Sequence, residues 1–271
     1  MIVNLHRMFT KNVGDLFCAP AQYFPLGDRM EILGWKQSEC QDVETRKLWK
    51  EKFQEASTIV VGGGGLLCSD FFKPGLDYIF QEKNPDTRVV IWGAGHNEWQ
   101  LSDWRKIKCE IELPHPYDLV GVRDFGHQHE WVPCPSCLHP AFDAVTPPEH
   151  EVVLYAHEAT LLNPKTRAVL PTEFPTLSNS ADFETAIKFL SSGDLVLTDS
   201  YHGLYWATLL GRRVIAFPTS SKFYDVKHAA PLCDPRDWQR FANLAVRYPL
   251  ALRECRDANT RFYEKVMQLA G

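Results

Sequence analysis

Apolar residues along this chain fall into short, nearly unbroken runs separated by mixed polar stretches. Ser57–Val61, Arg88–Trp92, Asp118–Val122, Glu151–Tyr155, Asp194–Thr198 and Arg213–Phe217 read as strands. Their apolar character is continuous rather than alternating, which is what a strand covered on both faces requires. Helical patterns predict Val43–Ala56, Ala181–Ser191, Leu204–Leu210 and Pro249–Leu269; in the last, Leu252, Phe262, Val266 and Leu269 make a partial apolar stripe. Strands alternating with helices predict the α/β class with parallel sheets.

The segment Ala144–His150, AVTPPEH, breaks this alternation with adjacent prolines, which hold the chain extended as a linker does. It divides the chain into 1–147 and 148–271, each built of strand–loop–helix units. The expected architecture is two Rossmann-like domains facing across a cleft, with the last helix able to pack back on the first. A composition of 45% hydrophobic and 23% charged residues supports such cores without disulfides or metal. The net charge of −5 argues against a nucleic-acid partner. A small anion needs only a few local cations and stays open. Met1–Arg7 does not open a secretory signal, and no apolar run reaches the roughly 18 residues of a membrane span. The expectation is a cytoplasmic protein with no integral membrane segment, its eight cysteines reduced.

Several segments at strand ends carry candidate chemistry. Asn12-Val13-Gly14-Asp15 follows a first, weak strand. Gly14 suits a close backbone approach and Asp15 a helix cap, or the segment is a plain turn. Gly62-Gly63-Gly64-Gly65 follows Ser57–Val61 and holds more glycine than a turn needs. Read as a loop, it brings the N–H groups of Gly63, Gly64 and Gly65 toward an anion or a sugar. It fits neither the Walker nor the dinucleotide spacing. Gly93-Ala94-Gly95 reads as a second turn on the same rim. Arg123 ends Asp118–Val122, where a guanidinium can grip a carboxylate or phosphate, or pair locally with Asp124.

The sharpest segment is Thr198-Asp199-Ser200-Tyr201-His202-Gly203, where an apolar strand runs into polar residues and then a helix. That junction is an anion site by geometry, and His202 can exchange a proton near neutral pH. Arg212, Arg213 and Lys222 are nearby cations, Lys222 the best placed. His127, His129, Cys134, Cys137 and His139 offer zinc-ligand types, but the tract is compressed and interrupted by Pro133 and Pro135. It reads as a turn with buried thiols and no metal.

In order, NVGD at 12–15, VVGGGGLL at 60–67, GVRD at 121–124, CPSCLHPAFD at 134–143 and LTDSYHGLYWATLLGRRVIAFP at 197–218 resemble the polysaccharide pyruvyl transferases. The resemblance implies a GT-B-like fold with the site in the cleft, the second domain serving the donor. It implies transfer from phosphoenolpyruvate, as co-substrate, to two hydroxyls of a sugar, giving a pyruvate ketal and phosphate with no metal or organic cofactor. On that basis Arg123 and the amides of Ser200 to Gly203, with Tyr201 between them, hold the donor, and His202 is the acid. The glycine run, Asn12, Gly14 and Asp15 face the acceptor. Asp15, Asp199 and His127 are open as general base. Where members resemble Ser-x-Arg-x-His, this chain has Ser200 at the arginine position, which moves the cationic duty to Arg212, Arg213 or Lys222. The chain's length points to a small lipid- or nucleotide-linked sugar acceptor. A glycosyltransferase using a nucleotide sugar, or a non-catalytic sugar- or phosphate-binding member, are the alternatives.

Overall fold

In the computed structural model, residues 1–31, 43–98 and 110–271 are described; Cys40 and Cys109, read above as free thiols, lie outside them. The strands form two sheets. The first holds β1 (Ile2–His6), β2 (Asp28–Glu31), β3 (Thr58–Leu67), β4 (Arg88–His96), β5 (Leu119–Val122) and β6 (Glu130–Trp131), in the order β2-β1-β3-β4-β5-β6. The second holds β7 (His150–Ala156), β8 (Thr176–Ser178), β9 (Gly193–Thr198) and β10 (Arg213–Ala216), in the order β10-β9-β7-β8. Among the described residues every strand pair is parallel. The fold is mixed α/β of Rossmann-like character, as the continuous apolar runs predict.

Both sheets are wound alike. β1 lies between β2 and β3, and β7 lies between β8 and β9. Strand order therefore reverses at β1/β3 and again at β7/β9, and in open parallel sheets ligands bind outside the carboxyl ends at such a reversal.

The helices that frame this arrangement are α1 (Val13–Leu16), α2 (Val43–Glu55), α3 (Lys73–Glu82), α4 (Phe183–Ser192), α5 (Tyr201–Leu209) and α6 (Ala251–Ala270). Ile59, Val61, Val89 and Ile91 pack on one face of the first sheet with Trp49 and Phe53 of α2 and Leu76 and Ile79 of α3. Their strand neighbours Val60, Val90 and Trp92 point the other way and meet Phe262 and Val266 of α6. So α6 follows the second sheet in sequence yet packs on the first. It is fixed there by a buried hydrogen bond from Trp92 Nε1 to Asn259 Oδ1 at 2.8 Å and by Lys265–Glu130 at 2.7 Å. Helix α5 is buried at every position, as a helix apolar on all sides must be.

The glycine runs are not loops. β3 continues through Gly62–Gly65 to Leu67, and β4 through Gly93–Gly95 to His96, with Gly62 paired to Trp92 and Gly64 to Ala94. Positive φ at Gly63 (+73°), Gly64 (+88°) and Gly93 (+67°) bends the strands as bulges do, and a Cβ on Gly63 would overlap the Cys18 carbonyl. Asp15 is likewise not the cap of α1; Asn12 is, accepting from Gly14 N at 3.2 Å, while Asp15 lies in the first turn. Among the described residues, no helix is long and apolar enough to cross a membrane.

Candidate active site

A cavity of about 390 Å³ opens where the carboxyl ends of the two sheets meet. Arg7, Thr10, Asn12 and Asp15 reach it from the segment after β1, and Gly65, Leu66, Ser69, Phe71 and Phe72 from the end of β3 and beyond. Asn97 follows β4 and Arg123 follows β5. From the second sheet come His157 after β7, Ser200, Tyr201 and His202 after β9, and Lys222 beyond β10. The two halves are hydrogen-bonded beside it, through Val13 N to Asn179 O at 3.0 Å and Asn179 Nδ2 to Asn12 Oδ1 at 3.1 Å.

Arg123 is buried with its guanidinium 4.0 Å above the centre of the Tyr201 ring. It fits there because Gly95 has no side chain: a Cβ at that position would overlap the Asp124 carboxylate and crowd Arg123 Nε at 2.6 Å. Among the described residues Arg123 Nε is buried without a hydrogen-bond partner and Nη2 reaches His96 O at 3.4 Å, so donor capacity remains for an anion. Lys222 contributes a second cation from the opposite half. Desolvation and the nearby Arg123 charge lower its pKa from 10.5 to about 8, against the pull of Asp15 and Asp199.

His202 is enclosed. Its Nε2 lies 3.6 Å from Cys134 Sγ, its ring centre 5.1 Å from that of Trp206, and Gly14 packs directly on the Nδ1 side, where any Cβ would overlap the ring. Burial, then Arg123, then Lys222 hold the imidazole well below its usual pKa. These causes favour the neutral imidazole at pH 7. The same cations that prepare the site for an anion repel the proton. Asp15, partly buried, is pushed up by desolvation, with Lys222, Arg123 and Arg7 acting in the other direction; Asn12 Nδ2 donates to its Oδ2 at 3.0 Å.

Ser200 caps α5, its hydroxyl accepting from Gly203 N at 3.4 Å, and its own N–H donates to Thr198 Oγ1 at 3.0 Å. Ser200, where the resemblance implies an arginine, is thus a helix cap.

Several expected site residues lie elsewhere. Gly63 and Gly64 sit behind the cavity, and only Gly65 of that run lines it. Gly203 faces β9, where a Cβ would overlap Thr198 Oγ1 and meet Tyr155 at 2.7 Å. Arg212 binds Thr146 O, and Arg213 pairs with Asp194 at 2.6 Å. Asp199 accepts from His157 N at 2.6 Å outside the lining. Cys134 and Cys137 are buried thiols, Cys134 beside Ser136 and His202, Cys137 beside Asn259. Arg7, Thr10, Leu66, Ser69, Phe71, Phe72, Asn97 and His157 escaped the sequence reading. Three of them, Arg7, Asn97 and His157, directly follow a strand and were open to the carboxyl-end rule.

Parallel sheets whose reversal points face one cavity lined by Arg7, Arg123 and Lys222 define the α/β class of this protein. The sequence model of the family described as polysaccharide pyruvyl transferase matches residues 23–221, well over half the chain and including Arg123 and His202. The chain belongs to that family. No curated protein matches it. Among solved structures, a crystal structure titled as a functionally uncharacterised protein from Klebsiella pneumoniae aligns over 80% of this chain and 82% of its own, at 16% identity and a TM-score of 0.45.

Proposed function

We propose that the protein transfers a pyruvyl group from phosphoenolpyruvate to two hydroxyls of a sugar, releasing phosphate and leaving a pyruvate ketal. The cleft would lie between domains 1–147 and 148–271 in a GT-B-like arrangement. The observation that carries this reading is the convergence of Arg123, Lys222 and His202 on one cavity, beside the amino end of a buried nine-residue helix.

The donor presents two anionic groups, a phosphate and a carboxylate, both attached to the central carbon of the enol. Arg123 takes one in bidentate fashion and Lys222 the other as a point charge. The Gly203 amide is already satisfied by Ser200, so the Tyr201 and His202 amides, with the helix dipole, supply the remaining stabilisation. The bound anion offsets the charges of Arg123 and Lys222, and His202 gains its proton together with the donor. His202 then protonates the methylene carbon, and an oxocarbenium-like centre develops at the carbon bearing phosphate. One sugar hydroxyl adds there and gives its proton to a base. Phosphate leaves, the second hydroxyl adds, and its proton departs on phosphate. Of the three candidate bases Asp15 alone lines the cavity, so it takes that role. Phe71, Phe72 and Leu66 form the apolar wall against which a sugar ring, lipid- or nucleotide-linked, would lie. Free thiols at Cys18, Cys134, Cys137, Cys233 and Cys255 suit a reducing, cytoplasmic setting.

The test is thermal stabilisation of the purified protein by phosphoenolpyruvate, UDP- and GDP-sugars and inorganic phosphate. A ligand at a hundredfold its Kd adds roughly 2.7 kcal/mol. A shift with phosphoenolpyruvate supports the reading; a shift with a nucleotide sugar and none with phosphoenolpyruvate selects the glycosyltransferase alternative.

A further inference from the structure

Behind the cavity lies a second group of chemistry-bearing side chains that this reaction does not use. His96 ends β4, His127 follows β5, and Asp225 comes from the other half of the molecule, shortly after Lys222. Asp225 Oδ2 is 2.9 Å from His96 Nε2 and 3.0 Å from His127 Nε2. The three donor atoms all lie within 4.8 Å of one another. A fourth donor is close: Asp124 Oδ1 stands 3.5 Å from the same His96 Nε2.

The cluster is rich in acceptors: Asp124 Oδ2 takes the His96 backbone N–H at 3.0 Å, and its Oδ1 faces His96 Nε2 as Asp225 Oδ2 does. A neutral imidazole has one N–H to give at Nε2, yet two carboxylates converge on that atom of His96. A cation placed among the four groups satisfies both carboxylates at once. The spacing suits it: bonds of about 2.0–2.2 Å in a tetrahedral centre put neighbouring donors roughly 3.3 Å apart. The outer contacts suit it as well. His96 Nδ1 lies 2.8 Å from Ser221 Oγ, which already accepts from Glu98 N at 2.8 Å. The second lone pair of that hydroxyl can receive Nδ1–H, the tautomer that turns the Nε2 lone pair toward Asp225. His127 is 4% exposed and Asp225 20%, which leaves the Asp225 side as the route of entry.

We propose that His96, His127 and Asp225, with Asp124 as fourth donor, form a binding site for one divalent transition metal, zinc by its donor set. Two imidazoles beside carboxylates disfavour magnesium and calcium, which take all-oxygen sites. The ion would join the two halves without touching the cavity. Its ligands or their supports adjoin both cavity cations, Asp124 next to Arg123 and Ser221 next to Lys222. The metal is therefore a clasp that fixes the distance between the two anion-binding charges.

Metal analysis tests this independently of any substrate. Protein stripped with a chelator, then dialysed against zinc, is expected to retain one equivalent. His127→Ala and Asp225→Asn are expected to retain none, and Ser221→Ala to bind zinc roughly 10–100-fold more weakly. Cobalt(II) added to stripped wild type is expected to show the intense visible bands of a tetrahedral site, a readout that holds even if a variant fails to fold. Folded wild type without stoichiometric metal, equal zinc content in His127→Ala and Asp225→Asn, or cobalt without tetrahedral bands would each overturn the proposal. None of these outcomes depends on phosphoenolpyruvate binding.

Discussion

Replacing Lys222 with Met isolates the cost of holding a cation beside Arg123 in the cavity. The ammonium's pKa falls from 10.5 to about 8, through desolvation and Arg123. At about 1.4 kcal/mol per pH unit, keeping it charged in the folded state costs on the order of 3 kcal/mol. Lys222 is partly rather than fully buried, and water reaching Nζ from the cavity discounts this to about 1–2 kcal/mol. The sign follows from proton counts. Below pH 8 both folded and unfolded chains keep the proton, and the folded state bears the whole cost. Between about 8 and 10.5 the folded state releases it first, so this contribution to stability rises with pH. Met keeps the stem and removes the charge. At pH 7 Lys222→Met should therefore melt a few degrees above wild type, with the gap closing as pH approaches 10, and it should no longer be stabilised by phosphoenolpyruvate. Paired thermal melts of the two proteins across pH 7–10, with and without phosphoenolpyruvate, read all three effects. A variant less stable than wild type at pH 7, or a pH-independent gap, would refute the reasoning.

Three further expectations rest on separate contacts. Gly14→Ala pushes a methyl into the His202 ring, which Cys134 and Trp206 hold from other sides; turnover should fall by roughly a hundredfold while circular dichroism stays native, and unaltered turnover would show that His202 tolerates displacement. Asn259→Leu leaves the Trp92 indole N–H and the Pro133 carbonyl unpaired in the core, so urea unfolding should show a loss of about 1–3 kcal/mol for each buried group left unsatisfied; an unchanged midpoint would count against α6 as a fixed part of the first sheet's cover. Phosphoenolpyruvate affinity should weaken more steeply above about pH 8, where Lys222 deprotonates in the free protein, by up to a further tenfold per pH unit; calorimetric titrations of wild type across pH 6.5–9.5 should show that steepening, and its absence would count against Lys222 as a donor contact.

The strands were legible because their solution is simple: continuous apolar runs such as Arg88–Trp92 have no stable place except inside a two-sided sheet. The glycine runs were misread for an equally physical reason. Glycine weakens a strand on its own terms, but the Cys18 carbonyl leaves no room for a side chain on Gly63, and Gly93 combines φ +67° with Pro133 O 3.1 Å from where a Cβ would lie. Tertiary packing keeps the backbone in the sheet there, against local propensity. Short strands such as Glu130–Trp131 and Thr176–Ser178 carry no periodicity to read. In the site, Arg123, Ser200, His202 and Lys222 could be named because each stands near the end of a legible strand. Phe71 and Phe72 could not, since nothing in a local pattern distinguishes an aromatic wall from core. The cysteine–histidine tract invited a zinc reading at Cys134 and Cys137, whereas the fold buries those thiols and brings His127 to partners far away in sequence. Only the packing of one half on the other creates that grouping.

The most direct measurement is calorimetric titration of phosphoenolpyruvate into wild type and Arg123→Ala at pH 7. One site per chain is predicted in wild type and none detectable in the variant, with both proteins equally folded by circular dichroism. Equal binding by the two, or no binding to wild type alongside tight binding of a nucleotide sugar, would contradict a pyruvyl donor held between Arg123 and Lys222.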